Sequence, residues 1–376
     1  MRLDMDFKYK NADFAYEPLK MFECSEEFTR GREPTLRRMP DGSLCSTLCT
    51  GKGVTDDRLN GNAIGIIRSE DDGATWSEPK ILFNHPKRAN WASDIFVGGE
   101  KPLLFFHAHN EETIFQELRT FVSSSDDSGR TWNEPASIHG VPHNLVPRQG
   151  KVLSDGSWLF PAYWSEQRGG WEAFWPSGGK PMPGMYKWFY TCGALKSFDK
   201  GSTFSLHGCV FRDNDDPGNA WEPEVTELEN GHLLMFIRSD NGILWKSESL
   251  DYGYTWTPME PTDIPNPDTK VVVYKIAECY VMINNTIPDQ TKKKQRTRLE
   301  MLLSYDNCRT WAKKKVIADV NAAEQEGNIP AACYPHGFAD DSRKTFYLAV
   351  DCVKMFFLFK IPYRDIITMP NILRKD

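Results

Sequence analysis

Five residues of this 376-residue sequence open short apolar runs and carry side chains fit for chemistry: Arg32, Asp94, Arg148, Glu222 and Tyr334. Charged side chains seldom sit at the head of a buried strand unless they pair or hold a ligand. Simple solvation around a wide, wet channel is the alternative. Two more acids, Asp56 and Asp57, lie in Thr50-Gly-Lys-Gly-Val-Thr-Asp-Asp-Arg58, a loop by its glycines. Partial burial would raise a carboxyl there into the range of a general acid, and an ordinary Asp turn is the plainer reading. Trp164, Trp171, Trp175, Tyr186 and Trp188 crowd a stretch rich in glycine and proline. Aromatic rings on an irregular loop stack on the apolar faces of sugars, so this stretch is expected to rim a carbohydrate site. Packing of the loop onto the body is its other use.

These residues must be positioned by a repeat. The phrase Ser-x-Asp-x-Gly-x-Thr-Trp occurs five times, beginning at Ser69, Ser125, Ser197, Ser249 and Ser304. Phe204 replaces Trp in the third copy, and Cys308 replaces Gly in the fifth. Each copy reads as a hairpin turn: Asp caps backbone amides two residues on, and Gly supplies a positive φ. Ahead of each copy lies a pair of apolar runs, joined in the clearest cases by Asp41-Gly42, Asp155-Gly156 or Asn230-Gly231, a strong hairpin signal. Weaker pairs cover Asp94–Phe106 and Val271–Ile283, and a sixth, Tyr334–Ala349, has no turn phrase after it. Self-similarity at this interval implies a repeated supersecondary unit.

The five phrases resemble the Asp-boxes of the sialidase (neuraminidase) superfamily. The resemblance implies an all-β, six-bladed β-propeller, with residues 1–376 as one domain and the strands of the two termini closing the last blade. Asp-boxes are structural, so they imply the fold and not by themselves an activity. In such a propeller the residues that open the innermost strands line a central mouth. The segment Arg32-Glu-Pro-Thr-Leu36 is similar to the family's opening of the first blade, which implies that Arg32 is the first arginine of a carboxylate-binding triad. The segment from Glu222 to Arg238 is similar to the family's fourth blade, which implies a catalytic Glu222 and a second triad arginine, Arg238. Counting back from Ser304 as the family does gives Arg296 as the third, with Arg298 as the fallback. Three guanidiniums, each a rigid fork matched to a carboxylate, imply an anionic substrate. Asp57 is the implied general acid. The nucleophilic Tyr is expected in Thr345-Phe-Tyr-Leu-Ala-Val-Asp-Cys352, where Val350 takes its place. Tyr334 is the nearest substitute, with His336 two residues on.

Net charge is −7, so nucleic acid is not an expected partner, and the longest apolar runs are too short to span a bilayer. The first residues lack the apolar core of a signal peptide, which leaves an intracellular location or a secreted or periplasmic form with its signal removed. Nine cysteines without a CxxC pair indicate neither a zinc site nor a disulfide framework. The expectation is a glycoside hydrolase acting on an acidic sugar, exo-sialidase-like, with neither a metal nor a cofactor. Two alternatives stand beside it. One is a glycosidase or lyase acting on uronic-acid glycans, with His336 and His143 as acid and base. The other is a propeller that binds sugar without catalysis.

Overall fold

The computed structural model describes residues 17–54, 59–85, 87–110, 114–142, 144–167, 188–212, 219–286, 296–319, 332–352 and 354–367. Asp57 and His143 lie outside them, and so do Trp171, Trp175 and Tyr186 of the aromatic stretch.

Six antiparallel sheets of four or five strands follow one another along the chain. In five of them, neighbouring strands are hydrogen-bonded in sequence order, as short polar turns between alternating apolar runs require. Blade 4 is typical: Ala220–Glu229 lies innermost, followed by His232–Ser239, Ile243–Ser249 and Glu260–Pro265. Blade 6 is made differently. Cys333–Asp340, Thr345–Asp351 and Met355–Pro362 supply three strands, and Leu19–Glu23 from the other end of the chain supplies the outermost. Closure of this kind removes a free sheet edge. The structure is therefore an all-β, six-bladed propeller, with one short helix, Tyr363–Ile367, among the described residues.

The five turn phrases are alike in atomic detail. In the first, Ser69 Oγ donates to Asp71 Oδ1 at 2.8 Å and accepts from the Gly73 amide at 2.8 Å. The Thr75 amide and hydroxyl donate to the two Asp71 oxygens at 2.8 and 2.6 Å. Two successive residues are left-handed, Asp72 (φ 59°) and Gly73 (φ 90°). A side chain at Gly73 would also collide with Leu358 of blade 6. The fifth copy keeps the same backbone without glycine: Asn307 and Cys308 have φ of 57° and 62°, and the Cys308 amide still reaches Ser304 Oγ at 2.9 Å.

The aromatic residue that ends each phrase wedges between blades. Trp76 packs with Leu44 and Leu48 of blade 1 and with Phe356 and Leu358 of blade 6. Phe204 keeps this role in the third copy, edge-on to Phe105 at 5.7 Å and to Phe160 at 6.0 Å. The core is thus a ring of interblade clusters, with each buried Leu, Ile or Phe contributing about 1.5–3 kcal/mol.

Along the axis the blades meet through polar groups. His336 Nε2 donates to Asp94 Oδ1 at 3.0 Å, and Arg37 Nη2 approaches the same oxygen at 3.1 Å. Tyr274 Oη donates to Gln149 Oε1 at 3.0 Å, and Lys151 Nζ stands 2.5 Å from Glu224 Oε1. Every blade contributes to this polar plug.

Candidate active site

A strand that runs straight presents alternate residues to one face. The innermost strands here do not run straight. Register shifts interrupt pairing between Trp221 and Glu224, and between Cys333 and His336. At those breaks Glu222 and Tyr334 adopt left-handed backbone, φ 50° and 48°. Glu33 (φ 53°) and Asp268 (φ 59°) are left-handed as well. Such conformations cost non-glycine residues about 1–3 kcal/mol each and collect at functional sites. Their effect is to turn four side chains out of the sheet pattern and toward one pocket.

Tyr334 stands at the centre. The guanidinium of Arg32 lies 5.6 Å from its ring centroid and that of Arg296 5.4 Å, and Arg238 Nη1 lies 3.3 Å from its hydroxyl. The structure therefore brings Arg32, Arg238 and Arg296 around one phenol. Arg298 turns elsewhere, with Nε 2.7 Å from Glu300 Oε1. Two aspartates anchor the three arginines. Asp351 Oδ2 lies 3.1 Å from Arg32 Nε. Asp268 Oδ1 accepts from Arg238 Nε at 2.8 Å, and the Asp268 carbonyl accepts from Arg296 Nη2 at 2.6 Å. Neither aspartate was singled out as an anchor in the sequence. Asp351 follows Val350, and Asp268 sits in Asn266-Pro-Asp-Thr269, a plain turn to the eye.

Glu222 reaches the same group from blade 4. Its Oε2 lies 2.5 Å from Arg238 Nη1, and its Oε1 lies 3.8 Å from Arg148 Nη1. Burial by itself would raise the carboxyl. The charges of Arg238 and Arg148 outweigh it and hold Glu222 well below the ordinary carboxylate range. The Tyr334 phenol is pushed up, first by burial and then by the Glu222 charge, with Arg238 opposing. Glu222 is thus an anion and Tyr334 a neutral phenol at neutral pH. Lys270, buried beneath them, is brought down to about 8 by burial and by Arg148.

Three expected ligand-binding residues lie elsewhere. The sequence puts Asp94 at the head of its strand, but the strand begins at Ala89, and a register shift after Ala92 carries Asp94 deeper. It is fully buried and tied to His336, Arg37 and the Gly150 amide. His336 is also fully buried. Its Nδ1 accepts from the Leu36 amide at 2.9 Å and its Nε2 donates to Asp94, so both ring nitrogens are engaged within the axial plug. Trp164 is not on a rim. It continues the strand Trp158–Gln167 and packs with Phe96, Phe105 and Phe160. The strands that flank the long interval between the second and third turn phrases pair as far as Gln167 and Trp188.

Val350 brings no chemistry to the axis, and the expectation that its position corresponds to the nucleophile does not fit this geometry. It is fully buried among Val272, Ile283 and Phe346, while the next residue, Asp351, anchors Arg32. Among the described residues, Tyr334 is the tyrosine that Arg32, Arg238 and Arg296 surround.

A closed six-bladed ring of Asp-box hairpins, with an arginine-lined polar pocket at its axis, defines a sialidase-like propeller. Residues 58–338 match the family model of the BNR repeat-like domain, and the chain belongs to that family, within the sialidase superfamily. A curated relative, a sialidase of Bacteroides fragilis, is 22% identical over 320 residues, covering 73% of this chain and 54% of the relative. The chain thus spans about half the length of that relative. Among solved structures, the NanB sialidase of Streptococcus pneumoniae superposes with a TM-score of 0.67 at 13% identity, over 94% of this chain and 71% of the other. Trypanosoma rangeli sialidase in complex with sialic acid gives 0.63 at 15%, over 93% and 59%. At these identities the structural likeness establishes the fold.

Proposed function

We propose that the chain is a glycoside hydrolase that binds an acidic sugar in this pocket, in the manner of an exo-sialidase. The observation that carries the reading is the gathering of Arg32, Arg238 and Arg296 around Tyr334. Three forks directed at one place match a substrate carboxylate. In this scheme the arginines hold the sugar carboxylate, Tyr334 attacks the anomeric carbon, and Glu222 takes the phenolic proton. A neutral phenol suits a carbon that carries a carboxylate, since an anionic nucleophile would be repelled. Asp57 is the acid that the family resemblance implies, and it lies outside the described residues. The names of the relatives support the same class of substrate.

The rival with His336 as acid or base loses support from the burial of that ring and the engagement of both its nitrogens. The binding-only rival is met by experiment. Incubation of the full chain with an aryl sialoside is expected to release the phenol, and Glu222→Gln to abolish the release. If the wild-type chain hydrolyses no acidic-sugar glycoside yet binds the free sugar, the pocket is a binding site alone.

A further inference from the structure

The pocket holds a second carboxyl that this scheme leaves idle. Glu33 lies between Arg32 and Pro34. Its left-handed backbone (φ 53°) is pinned where its amide donates to Asp351 Oδ2 at 3.0 Å. Its Oε2 then stands 3.8 Å from Arg148 Nη1, the nitrogen that is also 3.8 Å from Glu222 Oε1. One guanidinium corner therefore bridges two carboxyls from blades 1 and 4. The Glu33 side chain is 16% exposed against 6% for Glu222, so Glu33 is the member of the pair more open to the pocket.

We infer that Glu33 and Glu222 form an acid–base pair held together by Arg148, in which Glu33, in place of Asp57, protonates the departing glycosidic oxygen. The inference rests on the glycosidase reading above. Two oxygens at equal distance from one nitrogen lie no further apart than twice that distance, so both carboxyls border one site. Their surroundings also differ in the sense such a pair requires. Burial raises Glu33, Arg148 opposes it, and the Glu222 charge raises it again, with Lys270 and Arg32 pulling down. Glu33 ends above its ordinary range and Glu222 below.

The proton account closes. Tyr334 oxygen bonds to the anomeric carbon and gives its proton to Glu222. The bond from that carbon to the leaving oxygen breaks with its electron pair on oxygen, which takes the proton of Glu33. In the second half a water bonds to the anomeric carbon and gives its proton to Glu33. Tyr334 departs and recovers its proton from Glu222.

The test uses the full chain and two substrates of the same acidic sugar, an aryl glycoside and a disaccharide. An aryl leaving group departs without a proton, so Glu33→Gln is expected to keep most of the wild-type aryl kcat/KM, which reports only the steps up to the covalent intermediate. Its disaccharide kcat/KM should fall by about 100-fold or more, with Glu33→Asp recovering part of it. In carbon-13 spectra of glutamate-labelled protein, one carboxyl should titrate above the ordinary range and vanish in Glu33→Gln. Arg148→Met, which removes the bridging charge, should move that titration higher. Equal losses on both substrates, no loss on either, or the absence of a raised glutamate each overturns the inference. A wild-type chain inactive on both substrates overturns the hydrolytic reading itself, and is distinguished by needing no variant to show it.

Discussion

Arg238 lies against Glu222, with Nη1 2.5 Å from Oε2 and both side chains almost fully buried. Removing Glu222 takes from Arg238 one of its two carboxylate partners and leaves it Asp268, a loss of about 1–3 kcal/mol. Glu222→Gln should therefore lower the unfolding free energy measured in urea as well as turnover. The double variant Glu222→Gln with Arg238→Met should recover much of the stability and none of the activity.

The same pair sets an acid limit. The folded-state pKa of Glu222 is depressed below its unfolded value. Its stabilisation is fully present above the ordinary glutamate pKa of about 4.3 and is lost as pH falls through the folded value. Denaturation curves between pH 6 and 2 should show wild type losing stability more steeply than Glu222→Gln.

Lys270 acts in the opposite range. Burial and Arg148 depress its pKa to about 8. Between that value and its unfolded pKa, near 10.4, the unfolded chain binds the extra proton, so stability rises with pH. Wild type should gain stability relative to Lys270→Met from pH 8 to 10, as read by thermal melts. No relative gain would place the ammonium in a better solvated setting than this structure shows.

Asp351 orients Arg32 without lining the pocket centre. Asp351→Asn keeps the shape and loses the charge. Affinity for an acidic sugar, measured by calorimetry, should weaken by on the order of tenfold, equivalent to about 1.4 kcal/mol. The corresponding loss with a neutral sugar should be small.

On the opposite account, Asp251 belongs to a turn and not to the site. Its carboxylate accepts from Ser249, from the Thr255 amide and from the Thr255 hydroxyl. Asp251→Ala should cost about 1–3 kcal/mol, visible as a lower melting temperature, with kcat/KM unchanged.

The fold was legible because the Asp-box is a local device: Ser, Asp, Gly and Thr make its hydrogen bonds within seven residues, and the next aromatic locks two blades. Arg238 and Glu222 were legible through the resemblance of the segment between them to the family's fourth blade. Asp94 and His336 were misplaced for one reason. Each follows a register break, and a bulge cannot be counted from alternation. Trp164 misled because a buried interblade tryptophan and an exposed sugar platform share a composition. Glu33 left a faint trace, a charge between an arginine and a proline at a strand head. Its importance depends on Arg148, supplied by a blade more than a hundred residues away.

Blade 6 joins Leu19–Glu23 to Met355–Pro362. A chain emerging from the ribosome makes its first strand early and that strand's partner near the end. Five blades can stack as they appear, since each rests on its neighbour, while the first strand stays unpaired until Met355–Pro362 is made. Contacts so distant in sequence are slow to form. The ring is thus assembled as an open arc and sealed in a late event, and until that seal Arg32 of blade 1 and Tyr334 of blade 6 belong to separate ends of the arc.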